Sequence, residues 1–447
     1  MSNQTVNDGL ETGQTADGQD RNTFEQILAD ADKQIDAEQY ENALQILHYG
    51  LRQPDFDVRV YEKCAFVLRM SGQYTAAELF EAVVADRDNP EPLFRLGYQL
   101  VQDGLYGPAL GPLSRCVKLA PESSAANYEF AYALMKEFYN EAALHYFAKA
   151  YEQEQAMSIL FYMAQLLIFL GRSGEAWLFM QKLEEQVKEA GEGEPQLAYL
   201  KGMLRRYRAH QPQTIRDWHF VQYGSLLLRT YEEDDPEPPN PANGRYTLVN
   251  FGYPQVAAVL AALQAILGRI DLFPPYKYIA AAGEASAPIA HALGQLLTVP
   301  VKPLAEGLSS GQNGIVITSF SDELQGIAEH VWDRKDVLLF SFALSWTHDQ
   351  NVLPEVVGYL AQMPRLPWQE RVVLNESGEP VLVAADERPA EAIAGDILHC
   401  VAQVDADWVK RVCDFYGKRK SDIIAGKRIE VPRKRFFTHS ALGGARY

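Results

Sequence analysis

Small residues recur along the first two-fifths of this chain with a long, nearly constant period. Ala31, Ala65, Gly97, Ala131 and Ala164 are separated by 34, 32, 34 and 33 residues. A second series, Ala43, Ala77, Ala109, Ala143 and Ala176, runs twelve residues behind with the same spacings. Large apolar residues keep step: Tyr61, Leu93 and Leu160 precede the first small residue by four, and Leu68, Leu100, Leu134 and Leu167 follow it by three. That is the spacing of one helical face. A unit of two helices, each with a small residue where the backbones approach, accounts for both series. Gly72-Gln73-Tyr74 and Gly104-Leu105-Tyr106 supply the turn inside a unit, and Pro54, Pro90 and Pro121 mark breaks between units because proline cannot continue a helix.

Over residues 24–190 this pattern resembles the tetratricopeptide repeat family. The family's tryptophan on the first helix is replaced by Ile27, Tyr61, Leu93, Asn127 and Leu160. The resemblance implies a curved stack of helix pairs whose first helices line a hollow that holds another polypeptide. The positions expected to face it are Phe66, Met70, Phe94, Tyr98 and Val101 in the second and third units. In the fourth and fifth they are Tyr128, Tyr132, Met135, Phe161, Ile168 and Phe169. The lysines and asparagines with which some members clamp a terminal carboxylate are missing. An apolar lining suits an amphipathic helix or an extended hydrophobic segment, and aromatic and methionine anchors suit a hot spot. The alternative is that these side chains only pack within the superhelix.

Beyond the repeats the period changes. Residues 191–230 read as helices that cap the stack, since a solenoid must cover its last apolar face. An acidic, proline-rich linker follows at 231–243. From 244 to 416, apolar runs alternate with helical stretches. Strands are expected at Tyr246–Phe251, Tyr278–Ala282, Ile315–Thr318, Val337–Ala343 and Val381–Ala384. Helices are expected at Gln255–Arg269, Ala287–Leu297, Asp322–Trp332, Pro389–Val404 and Asp407–Arg419. Alternation of this kind predicts a mostly parallel α/β sheet. The fold class is therefore multidomain, an all-α repeat solenoid of residues 23–190 followed by an α/β domain.

Open parallel sheets bind ligands outside the carboxyl ends of their strands, where helix N-termini present free N–H groups. Four loops fall there, and their candidate residues are Gly252, Gly283 with Glu284 and Ser286, Ser319 with Ser321 and Asp322, and His348. Ser319-x-x-Asp322 also reads as a capping box and Ser286 as an N-cap. The order of elements from Tyr278 to Glu323, within 246–345, resembles a degenerate type I phosphoribosyltransferase. That family ends its second strand of this order with two adjacent acidic residues that hold ribose hydroxyls and magnesium. Thr318 and Ser319 stand there instead, so the resemblance implies a ligand-binding or structural shell with catalysis lost.

Composition narrows the remaining choices. The net charge of −18 disfavours nucleic acid as a partner. The charge is uneven, because residues 417–447 hold nine Lys/Arg against two acids. This basic tail reads as a solvated end or as a grip on an anionic surface. Residues 1–22 are polar and read as disordered. No apolar run reaches the roughly 20 residues of a membrane span. Four cysteines without metal-ligand spacing fit a reducing, cytoplasmic setting. No catalytic residue, metal site or cofactor is assigned. The leading reading is a protein-interaction adaptor or scaffold. An enzyme acting on a nucleotide or sugar phosphate and a secretion-type chaperone stand as alternatives.

Overall fold

The computed structural model describes residues 23–53, 55–230, 234, 248–270, 275–345, 352–361, 363–375 and 377–424. Two compact units divide between Leu197 and Ala198, within the helix Glu194–His210. The expected tail 1–22, nearly all of the linker, the loop with His348 and the basic residues from 425 onward lie outside the described residues.

The first unit is a helical repeat solenoid of the tetratricopeptide-like kind. Its five pairs are α1 Phe24–Asp36 with α2 Tyr40–Leu51, α3 Val58–Met70 with α4 Tyr74–Ala85, α5 Pro90–Gln102 with α6 Tyr106–Leu119, α7 Ser124–Lys136 with α8 Asn140–Gln153, and α9 Met157–Phe169 with α10 Ser173–Ala190. Both series of small residues are buried. At Gly97 the reason is explicit, because a Cβ there would sit 2.5 Å from Leu113. The capping positions share the period: Thr23, Asp57, Asn89 and Ser123 each accept a first-turn backbone N–H with their side chains, and Ala156 holds the fifth position without one. The turns share it too. Glu38, Gly72, Gly104, Phe138 and Gly171 all have φ between 56° and 76°, the left-handed conformation that closes a helix C-terminus.

The second unit is α/β. Its five-stranded sheet has the order β1-β6-β5-β4-β3 with every neighbour parallel. The strands are β1 Leu226–Leu227, β3 Tyr278–Ala281, β4 Gly314–Phe320, β5 Val337–Leu344 and β6 Val356–Leu360. The central β5 is buried throughout, as expected of a parallel strand covered on both faces. Helices α13 Tyr253–Arg269, α14 Ala287–Leu297, α17 Ala390–Val401 and α18 Ala406–Gly417 belong to the same apolar core. Tyr278 is packed under two glycines, and a Cβ at Gly314 would lie 2.0 Å from its ring. Two short pairs stand apart from the main sheet: β2 Leu248–Asn250 with β7 Met363–Arg365, and the antiparallel hairpin of β8 Arg371–Leu374 and β9 Pro380–Val383.

Three expectations change. Leu226 and Leu227, expected within a helical cap, form the edge strand of the sheet. The Tyr416 hydroxyl holds that strand by accepting from the Leu227 N–H at 2.7 Å and donating to the Leu227 carbonyl at 2.8 Å. Among the described residues the strand at 248–250 pairs with β7 and not with the main sheet, although Phe251 before Gly252 packs on Phe342 of β5 and Tyr359 of β6 at 5.0 and 4.9 Å. The run near Val381 is a solvent-facing hairpin strand, with Leu382 62% exposed.

Candidate functional site

In the first unit the eleven candidate positions separate into three groups. Phe66, Met70 and Tyr98 are 48%, 52% and 43% exposed, large fractions for apolar or aromatic side chains on well-ordered helices. Phe94, Tyr128 and Tyr132 are half-buried. Val101, Met135, Phe161, Ile168 and Phe169 are buried, so these five offer no exposed anchor. The reason is local. Val101 and Met135 lie four residues after Gly97 and Ala131, on the small residue's own packed face. Phe161, Ile168 and Phe169 belong to α9, which is predominantly apolar and buried except at Met157, Ser158 and Tyr162.

Two of the half-buried rings, Tyr128 and Tyr132, belong to a connected cluster. Tyr128 and Tyr132 stack at 6.4 Å, and Tyr162 lies 6.3 Å and 5.6 Å from them and 5.4 Å from Phe147. The Lys136 ammonium sits over the Tyr106 and Tyr132 rings at 4.7 and 5.4 Å, a cation–π arrangement for a side chain only 1% exposed. Burial pushes the nearby Glu129 carboxyl up to about 7. Sequence reasoning passed over Tyr162 and Lys136. The signal for Lys136 was its place five residues after Ala131, the offset at which Met70 follows Ala65 and Phe169 follows Ala164.

In the second unit, the loops after β3 and β4 come together and satisfy themselves. The Ser286 hydroxyl donates to the Gly283 carbonyl at 2.7 Å and accepts from the Gly283 N–H at 3.1 Å. Ser319 donates through its N–H and hydroxyl to Glu323 at 2.8 and 2.6 Å. That carboxylate also borders Gly283, where a Cβ would lie 3.0 Å from it. The Ser321 hydroxyl accepts from the Ser345 N–H at 3.1 Å. Glu284 and Asp322 are exposed. Ser319 thus pairs with Glu323, four residues on, rather than capping through Asp322. Thr318, in the first acidic position of the phosphoribosyltransferase pattern, is fully buried.

The loop at Gly252 borders a different feature. A cavity of about 410 Å³ is lined by Pro254 and Gln255 of α13, by Arg229, Gln403 and Asp405, and by Trp408 and Arg411 of α18. The Arg229 guanidinium stacks 4.8 Å over the Trp408 ring, whose N–H donates to Asp234 at 2.8 Å. Among the described residues there is no cluster that would hold a metal ion, and no helix is long and apolar enough to cross a membrane.

The chain is thus a helical-repeat solenoid joined to a parallel α/β unit. Among solved structures it is similar to MamA from strain AMB-1, at 19% identity over 37% of this chain and 92% of that one, with a TM-score of 0.26. MamA residues 41 to the end from Desulfovibrio magneticus RS-1 gives 17% identity over 37% and 96%, with a TM-score of 0.25. PilF of Pseudomonas aeruginosa gives 15% identity over 47% and 95%, with a TM-score of 0.24. At such scores these likenesses carry no argument. No protein-family model matches the chain, and no curated protein matches it.

Proposed function

We propose that this protein is a binding scaffold whose repeat unit seats a segment of another polypeptide. The observation behind this reading is the exposure of Phe66, Met70 and Tyr98 on consecutive first helices. Phe66 and Met70 lie one helical turn apart, and Phe94 stacks on Tyr98 at 6.0 Å, a pre-ordered aromatic edge that costs little entropy on binding. The α/β unit has a docking or ligand-holding role, and the chain works in a reducing, cytoplasmic setting. The test is capture by the full-length protein against the Phe94→Ala/Tyr98→Ala and Phe66→Ala/Tyr98→Ala variants, with helicity followed by circular dichroism. Both variants keep full helicity and lose captured proteins that the parent chain retains. Equal capture by parent and variants overturns the assignment.

A second reading rests on the Arg229–Trp408 cavity. Two guanidinium groups, an indole face and the amides of Gln255 and Gln403 could hold a small polar ligand such as a nucleotide or sugar phosphate, set against the carboxylates of Asp234 and Asp405 in the same lining, the latter 3.8 Å from Arg411. The closed hydrogen bonding of Ser286, Ser319 and Ser321 disfavours the phosphoribosyltransferase-like crevice for that purpose. A thermal-shift series with nucleotides and phosphosugars decides it. Stabilisation that Arg411→Ala abolishes supports the cavity, and no shift at millimolar concentration removes it.

A further inference from the structure

The repeat unit holds the chain's surplus of acid. Residues 23–197 contain 27 Asp/Glu against 14 Lys/Arg, a net of −13, whereas residues 198–447 contain 28 against 26, a net of −2. The excess reaches the exposed apolar face itself. Asp32 and Asp36 follow Ala31 by one and five residues, the offsets at which Phe66 and Met70 follow Ala65, and both are exposed. Glu62 is exposed one turn before Phe66.

Most cations close by are already committed; the exposed Arg95 of α5 is the exception, with no ion pair among the described residues. Lys63 pairs with Asp32, Arg69 with Glu81 at 2.5 Å, and Arg59 with Asp57 at 2.6 Å and Glu25 at 2.8 Å. Among the described residues Asp36 and Glu62 have no ion-pair partner. What remains facing solvent beside Phe66 and Met70 is therefore mainly negative.

We infer that the segment seated on this face is a basic amphipathic one, with apolar side chains set on Phe66, Met70 and Tyr98 and Lys or Arg directed at Asp36 and Glu62. The inference rests on the polypeptide-binding reading above and narrows it. Single exposed ion pairs contribute little. A field from many like charges nevertheless steers an oppositely charged segment in and rejects acidic ones.

The test uses the full-length protein and three labelled peptides of about 18 residues, five helical turns. They share one leucine and tryptophan stripe at helical spacing and carry Lys, Gln or Glu on the other face. Fluorescence anisotropy is read at about 50 mM and about 500 mM salt, where screening differs strongly. The Lys peptide binds at least about tenfold tighter than the Gln peptide at low salt, and the advantage shrinks to about twofold at high salt. The Glu peptide binds more weakly than either. Asp36→Asn with Glu62→Gln reduces the Lys advantage, and Phe66→Ala with Tyr98→Ala removes binding of all three.

Equal affinity of the Lys and Gln peptides at low salt, with both still lost in the aromatic variant, overturns the charge inference and leaves the groove reading standing. Binding that survives the aromatic variant unchanged overturns the groove reading and this inference with it. Absence of binding by every peptide also overturns the inference.

Discussion

The two units dispose of polar strand ends and apolar helix faces differently, although the β8–β9 hairpin of the second also leaves Leu374 and Leu382 72% and 62% exposed. In the α/β unit, polar groups at the strand ends find partners inside the chain: Ser286 with Gly283, Ser319 with Glu323, Ser321 with Ser345. Even the edge strand is held by the Tyr416 hydroxyl. In the repeat unit, the small-residue faces are closed in every pair, yet Phe66, Met70 and Tyr98 stay in solvent on first helices. A sheet wrapped by helices closes on itself, whereas a stack in which each pair covers mainly its neighbours can leave a face open, as it does in the second and third units. On the scaffold reading proposed above, the water-facing aromatic groups on such a face are where a partner would sit. Strand ends already satisfied from within offer no such place.

The difference in closure can be broken open by one buried ring in each unit. Phe147 is fully buried and lies 5.6 Å from Tyr128 and 5.4 Å from Tyr162. Phe340 is fully buried in the central strand of the sheet. Either change to alanine costs about 3–5 kcal/mol. Hydrogen exchange separates them: Phe147→Ala loosens α7 to α9 and leaves α1 to α3 protected, whereas Phe340→Ala lowers protection across β3 to β6 together. Uniform loosening of all five repeats by Phe147→Ala would count against the quasi-one-dimensional picture.

Gly314→Ala tests how tightly the second unit is closed. The new methyl carbon would lie 2.0 Å from the Tyr278 ring, with Gly307 packed on the ring's other edge. The expected loss is about 2–3 kcal/mol, read from the urea midpoint of the α/β transition. A companion Tyr278→Leu change relieves part of it, because the crowding is with that ring. Full retention of stability in Gly314→Ala would show the ring to be freely displaceable.

The two units were also unequally legible. The period of the small residues gives the repeats directly, since each must pack a helix pair at the same offset, and the caps and turns repeat with it. The exposure of the face was read less well. Val101 and Phe66 are both apolar and both on first helices, and only the angular offset from Gly97 or Ala65 tells which is inside. In the α/β unit, β3, β4 and β5 are apolar runs with a helix after each of the first two, so their pattern suffices. β1 is two residues long, and nothing in Leu226-Leu227 separates a strand from the end of a helix until β6 is seen beside it. Glu323 was legible in principle as a carboxylate four residues after Ser319, but the capping-box spacing to Asp322 competed for the same serine.

A smaller effect concerns charge. Desolvation raises the Glu129 carboxyl to about 7, above its ordinary 4.5. The folded state then holds a proton that the unfolded state has lost between those values, so this group's contribution to stability falls as pH rises from 4.5 through 7. His48 runs the other way. Burial and the Arg52 charge lower it to about 4 from 6.5, so its contribution falls as pH drops through that window. Glu129→Gln should therefore be nearly neutral at pH 5 and stabilising at pH 8, by about 1 kcal/mol once solvent access is allowed for. An equal effect of Glu129→Gln at pH 5 and pH 8 would place Glu129 in solvent.

The smallest change bears on how strictly the repeat geometry is imposed. The five turns inside the units share one left-handed residue each, and three of these are glycine. Glu38, with φ 56°, and Phe138, with φ 66°, adopt the same conformation with a Cβ in place. Around them the bonding is unchanged: the N–H after Glu38 still reaches Gln34 at 2.8 Å, as the N–H after Gly72 reaches Leu68 at 2.8 Å. The stacking of helices therefore dictates the backbone, and the side chain bears strain of about 1 kcal/mol. Glycine loses more conformational entropy on folding, which offsets part of the relief. Glu38→Gly should then stabilise the repeat unit by about 0.5 kcal/mol, with Gly72→Ala destabilising it by about 1 kcal/mol. Glu38 is exposed, so the substitution isolates the backbone effect. A loss of stability in Glu38→Gly would mean that the carboxylate itself, and not the stacking, holds the first turn in place.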